Sequence, residues 1–117
     1  MPVSVGGGDA APSPGWLLRA AMASCVSTLV AMRAAQLELD VSKIETLVDS
    51  ESNDYGILGI DESIPAGPFG VSIRVRLEGA AVGDERYQEL VAWAVDHCPV
   101  TDAVLRSIPI ETEVELS

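Results

Sequence analysis

The chain has 117 residues and a formal net charge of −11 at pH 7, with a sequence pI near 4.2. That length allows one domain with one core, and 48% hydrophobic against 21% charged residues describes a globular rather than a disordered chain. The seven cations (Arg19, Arg33, Lys43, Arg74, Arg76, Arg86 and Arg106) are scattered, which excludes a phosphate-binding stripe or an anionic-membrane patch; neither nucleic acid nor a membrane is an expected partner.

Residues 1–13, "MPVSVGGGDAAPS", read as a flexible arm ahead of a single domain over 14–117. They show no basic segment followed by an apolar stretch, so no secretory leader is expected. The two cysteines of the chain then read as cytosolic thiols, with cytoplasmic localisation, rather than as a secreted disulfide framework.

Ser13 is placed to cap a helix whose first residue is Pro14 and which runs to about Leu37. Its small residues Ala20, Ala21, Ala23, Ser24, Ala31, Ala34 and Ala35 are spread around the whole circumference. A helix apolar all round is packed on several sides, and so small a domain does not surround one alone, so a second subunit is expected. Arg19 and Arg33 bracket only thirteen uncharged residues, short of the roughly 20 that cross a bilayer.

"SKIETLVDSES" (42–52) reads as a strand, and 53–68 as a long connection punctuated by Gly and Pro. "VSIRVRLE" (71–78) alternates, with Val71, Ile73, Val75 and Leu77 inward. Residues 84–98 form an amphipathic helix with Tyr87, Leu90, Val91 and Ala94 on one stripe. A short helix over 101–107, capped by Thr101, leads to a last alternating strand (108–117), with Ile110, Thr112, Val114 and Leu116 facing the core. Half-buried strands beside a buried helix indicate an α+β fold, a long central helix against a small sheet.

Most site chemistries are missing from this sequence. His97 is the only histidine, and neither a zinc nor a calcium set has the required spacing. Gly6–Gly8 lacks the Lys-Ser/Thr ending of a phosphate loop, so no cofactor or metal is expected. The cysteines remain. Free cysteine is among the most buried residue types, and Cys25 has no cation among its helical neighbours. The helix start is about ten residues from it, roughly 15 Å, too far for the dipole to lower its pKa. Cys98 sits in "HCPVTDAV", beside His97 and just before a helix start. Two readings of it stand: a thiol favoured as thiolate by that position, or a residue that merely closes the preceding helix.

"SPGWLLRAAMASC", followed some seventy residues later by "HCPVTDAV" and joined by "VSIRVRLEG", resembles the OsmC/Ohr family of thiol peroxidases over residues 12–117. The resemblance implies an intertwined homodimer with sites at the subunit interface. It makes Cys25 the peroxidatic and Cys98 the resolving thiol, reducing organic hydroperoxides through a sulfenic acid and then a disulfide. A dithiol or dihydrolipoyl group would be the reductant. Two departures accompany the match. Gly15 stands where that family has a glutamate after the helix's first proline, and none of the thirteen residues before Pro14 is the arginine that the family supplies there. The alternative is therefore a catalytically weak or inactive module of the same fold, binding thiols or ligands.

Overall fold

The structure is a computed structural model that describes Gly8 and residues 11–117. Helix α1 (Pro14–Gln36) begins where Ser13 Oγ accepts the Trp16 amide at 3.1 Å, with proline at the first helical position. Both choices suit a helix start, since one free amide is satisfied and the proline has none to satisfy. The helix ends with Leu39 N–H donating to Ala34 O at 2.9 Å and Glu38 N–H donating to Ala35 O at 3.3 Å. Glu38 takes the left-handed φ of 56° that such a C-terminal turn demands.

Strand β1 (Lys43–Glu51) pairs antiparallel with β2 (Gly70–Glu78), Lys43 opposite Glu78 and Glu51 opposite Gly70. One face of this two-stranded sheet carries Ile44, Val48, Ile73, Val75 and Leu77 against the helices; the other sets Glu45 opposite Arg76 and Leu47 opposite Arg74. The connection holds a short helix, α2 (Asp54–Ile57). Where the chain enters β1 and leaves β2, Asp40 and Gly79 touch so closely that a Cβ on Gly79 would collide with the Asp40 carbonyl, so glycine is required there. Helix α3 (Glu85–His97) and helix α4 (Pro99–Leu105) complete the described elements.

The core lies between α1, α3 and the sheet. Met22, Val26, Val30 and Ala34, four residues apart, form the buried stripe of α1, and Tyr87, Leu90 and Ala94 form that of α3. Val26, Val30 and Leu90 are fully buried, and each such side chain contributes about 1.5–3 kcal/mol of transfer free energy. Tyr87 donates its phenol to Asp40 O at 2.9 Å, tying α3 to the entry of β1. The all-round apolar character of α1 is satisfied on this side. Its opposite face, with Leu17, Ala21, Ser24, Thr28, Ala31 and Met32, is exposed in the single chain. By length and composition α1 is long and apolar enough to cross a membrane; in the fold its buried stripe lies against protein.

Two expectations are corrected. The last helix starts at Pro99, capped by Cys98 rather than Thr101, because Cys98 Sγ accepts the Thr101 amide and proline takes the first position. Residues 108–117 form no strand: Ile110, Val114 and Leu116 are 82%, 74% and 92% exposed. Within the chain they pair with neither edge of the two-stranded sheet, and an unpaired segment gains no ladder.

Candidate active site

Cys25 lies three turns into α1, on the side that α4 crosses, and is partly exposed. Cys98 is the hinge between two helices, closing α3 with its amide on Val95 O and opening α4 with its sulfur. It is 0% exposed. The fold brings these free thiols, 73 positions apart in the chain, close enough for each to act on the ionisation of the other. Val26, Leu29 and Val100 pack around them, so the pair sits in apolar surroundings.

The two thiols are not equivalent. Burial pushes the Cys25 thiol above its ordinary pKa, and the neighbouring Cys98 thiol adds to the rise; the Val100 backbone opposes it. Burial also acts to raise Cys98, but the Cys25 thiol, the Thr101 hydroxyl and the Thr101 and Val100 amides outweigh it. Cys98 is therefore lowered, and the negative charge of the pair is best held there. The Thr101 amide lies 3.4 Å from Cys98 Sγ. No side-chain cation is among the groups that shift either thiol.

The arginines of α1 are engaged elsewhere. Arg19 Nη1 donates to Ser50 Oγ at 2.9 Å, at a cavity of about 430 Å³ lined by Gly15, Leu18, Arg19, Ser50, Ile57 and Pro68 among others. Neither cysteine lines that cavity. Arg33 lies 4.5 Å over the Trp93 ring. His97 stacks on Trp93 with ring centroids 4.1 Å apart, and its Nδ1 is 2.8 Å from Trp93 O. It is not among the groups acting on Cys98, despite being its neighbour in sequence. The residue that sequence reasoning misassigned is Thr101: not the helix cap, but a partner of the capping sulfur. The Cys-x-x-Thr spacing at a helix start was the available signal, since the third helical residue reaches back to the cap.

Comparison with known proteins bears on family and fold. A family model described as OsmC-like protein matches residues 6–113. The chain belongs to the OsmC-like family. An organic hydroperoxide resistance protein OsmC from Legionella pneumophila superposes with a TM-score of 0.67 at 22% identity, covering 89% of this chain and 69% of that one. A putative osmotic stress induced and detoxification response protein from Psychrobacter arcticus 273-4 gives 0.68 at 23%, covering 88% and 67%. The organic hydroperoxide resistance protein OhrB of Bacillus subtilis gives 0.56 at 24%, covering 89% and 70%. At these identities the likeness is one of fold, and the OsmC-like α+β fold is what the chain adopts. No curated protein matches the sequence.

Proposed function

We propose that this OsmC-like chain is a thiol-dependent peroxidase of organic hydroperoxides, acting in oxidative stress defence in the cytoplasm. The observation that carries the reading is the contact between Cys25 and Cys98 across 73 positions of sequence in apolar surroundings. A cysteine serving only as core filler has no reason to meet a second one. Transfer of the Cys25 proton to the neighbouring Cys98 sulfur frees the Cys25 thiolate. That thiolate attacks one peroxide oxygen; an S–O bond forms, the O–O bond breaks, and the alkoxide takes the proton now on Cys98, departing as alcohol and leaving Cys98 as thiolate. The Cys98 thiolate then attacks the sulfenic sulfur, forming the S–S bond and releasing hydroxide, which takes a proton to become water. A small dithiol or lipoyl group restores both thiols.

The assembly proposed is a homodimer. Its support is the exposed face of α1 together with the exposed, alternating segment 108–117, both of which lack a partner among the described residues.

A second reading, a weakly active or inactive module of this fold, is favoured by one observation: burial raises Cys25 and no cation acts on it. A thiol at its ordinary pKa is only a few per cent thiolate at neutral pH, and a raised one less. Stopped-flow oxidation with tert-butyl hydroperoxide decides between the two. Oxidation that is slow but complete, ends in an intramolecular disulfide and is lost in Cys25→Ser supports the peroxidase. Oxidation no faster than that of free cysteine supports the module.

A further inference from the structure

The Thr101 hydroxyl is an orphan. Thr101 is 5% exposed, and among the described residues its Oγ1 is the buried side-chain polar atom with no hydrogen-bond partner. A buried hydroxyl left without a partner costs stability, and such an atom calls for an explanation. It stands beside the Cys98 sulfur and favours its charged form, while the amide of the same residue already donates to that sulfur at 3.4 Å. One residue thus donates its amide to this sulfur and holds an unused hydroxyl donor on the same side. A neutral thiol accepts weakly; a thiolate would use both.

The second observation is access. Once the two cysteines are joined, an external thiolate must attack one of two sulfurs. Cys98 is 0% exposed, whereas Cys25 is partly open to solvent. Disulfide exchange depends on which sulfur can be reached and on how well the other leaves as thiolate. Both criteria select the same direction here.

We propose that reduction of the Cys25–Cys98 disulfide proceeds by attack on Cys25, with Cys98 leaving as a thiolate that Thr101 receives as a positioning residue. The inference rests on the two-cysteine reading above. The thiolate of a small dithiol forms a new S–S bond to Cys25 Sγ; the Cys25–Cys98 bond breaks, and its electron pair goes to Cys98. The second thiolate of the dithiol then attacks the dithiol sulfur bound to Cys25, closing a cyclic disulfide, and the Cys25 thiolate departs and takes a proton. Two electrons pass from the dithiol to the cysteine pair. His97 takes no part, being held on Trp93, and Asp102 is turned to Arg106 at 2.7 Å.

The test starts from disulfide made with diamide, which keeps it independent of peroxide turnover. Dithiothreitol reduction should slow on the order of fivefold in Thr101→Val, the rate equivalent of one hydrogen bond, and stay near wild type in Thr101→Ser. A purely packing role predicts the reverse order, since valine preserves shape and serine the hydroxyl. In wild type, limiting 2-mercaptoethanol followed by acid quench should leave the adduct on Cys25 and Cys98 free, as read by peptide mass mapping. An adduct on Cys98, or an unchanged rate in Thr101→Val, overturns the proposal. Failure of diamide to form the intramolecular disulfide overturns both this and the two-cysteine reading. A disulfide that diamide makes but tert-butyl hydroperoxide does not sinks the peroxidase alone.

Discussion

Arg19 leans on Gly15. A Cβ built on Gly15 would lie 3.5 Å from Arg19 Nη1, ordinary van der Waals contact, with the Ser13 hydroxyl 3.9 Å away. The guanidinium donates to Ser50 and has no carboxylate within ion-pair reach among the described residues. Position 15 is therefore open to a side chain, and a cation already borders it.

Gly15→Glu should accordingly stabilise the chain. The substitution removes a glycine from the first turn, places a negative charge at the positive end of α1, and creates a glutamate four residues ahead of an arginine. Together these contribute about 1 kcal/mol, to be measured by urea denaturation with and without 1 M salt. The gain should shrink in salt. A destabilised variant would show that the cavity beside Gly15 does not tolerate the side chain.

The other end of α1 predicts a gain from the opposite change. Glu38 holds a left-handed φ of 56°, a conformation that costs a non-glycine residue roughly 1–2 kcal/mol, while glycine adopts it freely at some cost in unfolded-chain entropy. Glu38→Gly should raise stability by about 0.5–1 kcal/mol, seen as a higher denaturation midpoint with an unchanged slope. A lowered midpoint would mean that the Glu38 side chain holds a contact worth more than the strain.

The legible parts of this chain were those whose signals are local. Ser13 and Pro14 announce the start of α1, and alternation from Val71 to Leu77 announces β2. The segment 108–117 alternates equally well yet joins neither edge of the sheet and stays exposed, because alternation states which residues a strand would bury, not whether it enters a ladder. Both cysteines were legible as candidates. Their inequality was not, since it depends on the Val100 and Thr101 donors, which converge only when Pro99 starts α4 one residue after Cys98.

The thiol pair should titrate in two steps on either side of the ordinary thiol value, followed by thiolate absorbance in the reduced chain. The lower step belongs mainly to Cys98, depressed by its donors, and the upper to Cys25, raised first by burial. Linkage fixes the signs. A depressed Cys98 contributes stability present above its unfolded pKa and lost as pH falls through its folded one. A raised Cys25 contributes stability present below its unfolded pKa and lost as pH rises through its folded one. Cys98→Ser should remove the lower step and leave a single step no lower than that of an ordinary thiol. If the surviving step falls below it, the ordering of the two thiols is inverted.

Association should be governed by the open face of α1. Leu17 and Met32 are both 54% exposed there, with Ala21, Ser24, Thr28 and Ala31 between them. Small residues along a helix allow a second helix to approach closely, and each large apolar residue buried at the contact contributes about 1.5–3 kcal/mol. Sedimentation at micromolar concentration should show a dimer. Met32→Asp would place a charge in that contact and should shift the chain toward monomer, while circular dichroism keeps its helical signal because Met32 is outside the buried stripe of Met22, Val26, Val30 and Ala34. Charge substitution of Arg74, on the outer sheet face, should leave the dimer intact. A chain that sediments as a monomer before any substitution would remove the homodimer from the proposal. A dimer lost on Arg74→Glu but kept on Met32→Asp would move the interface from the helix to the outer face of the sheet.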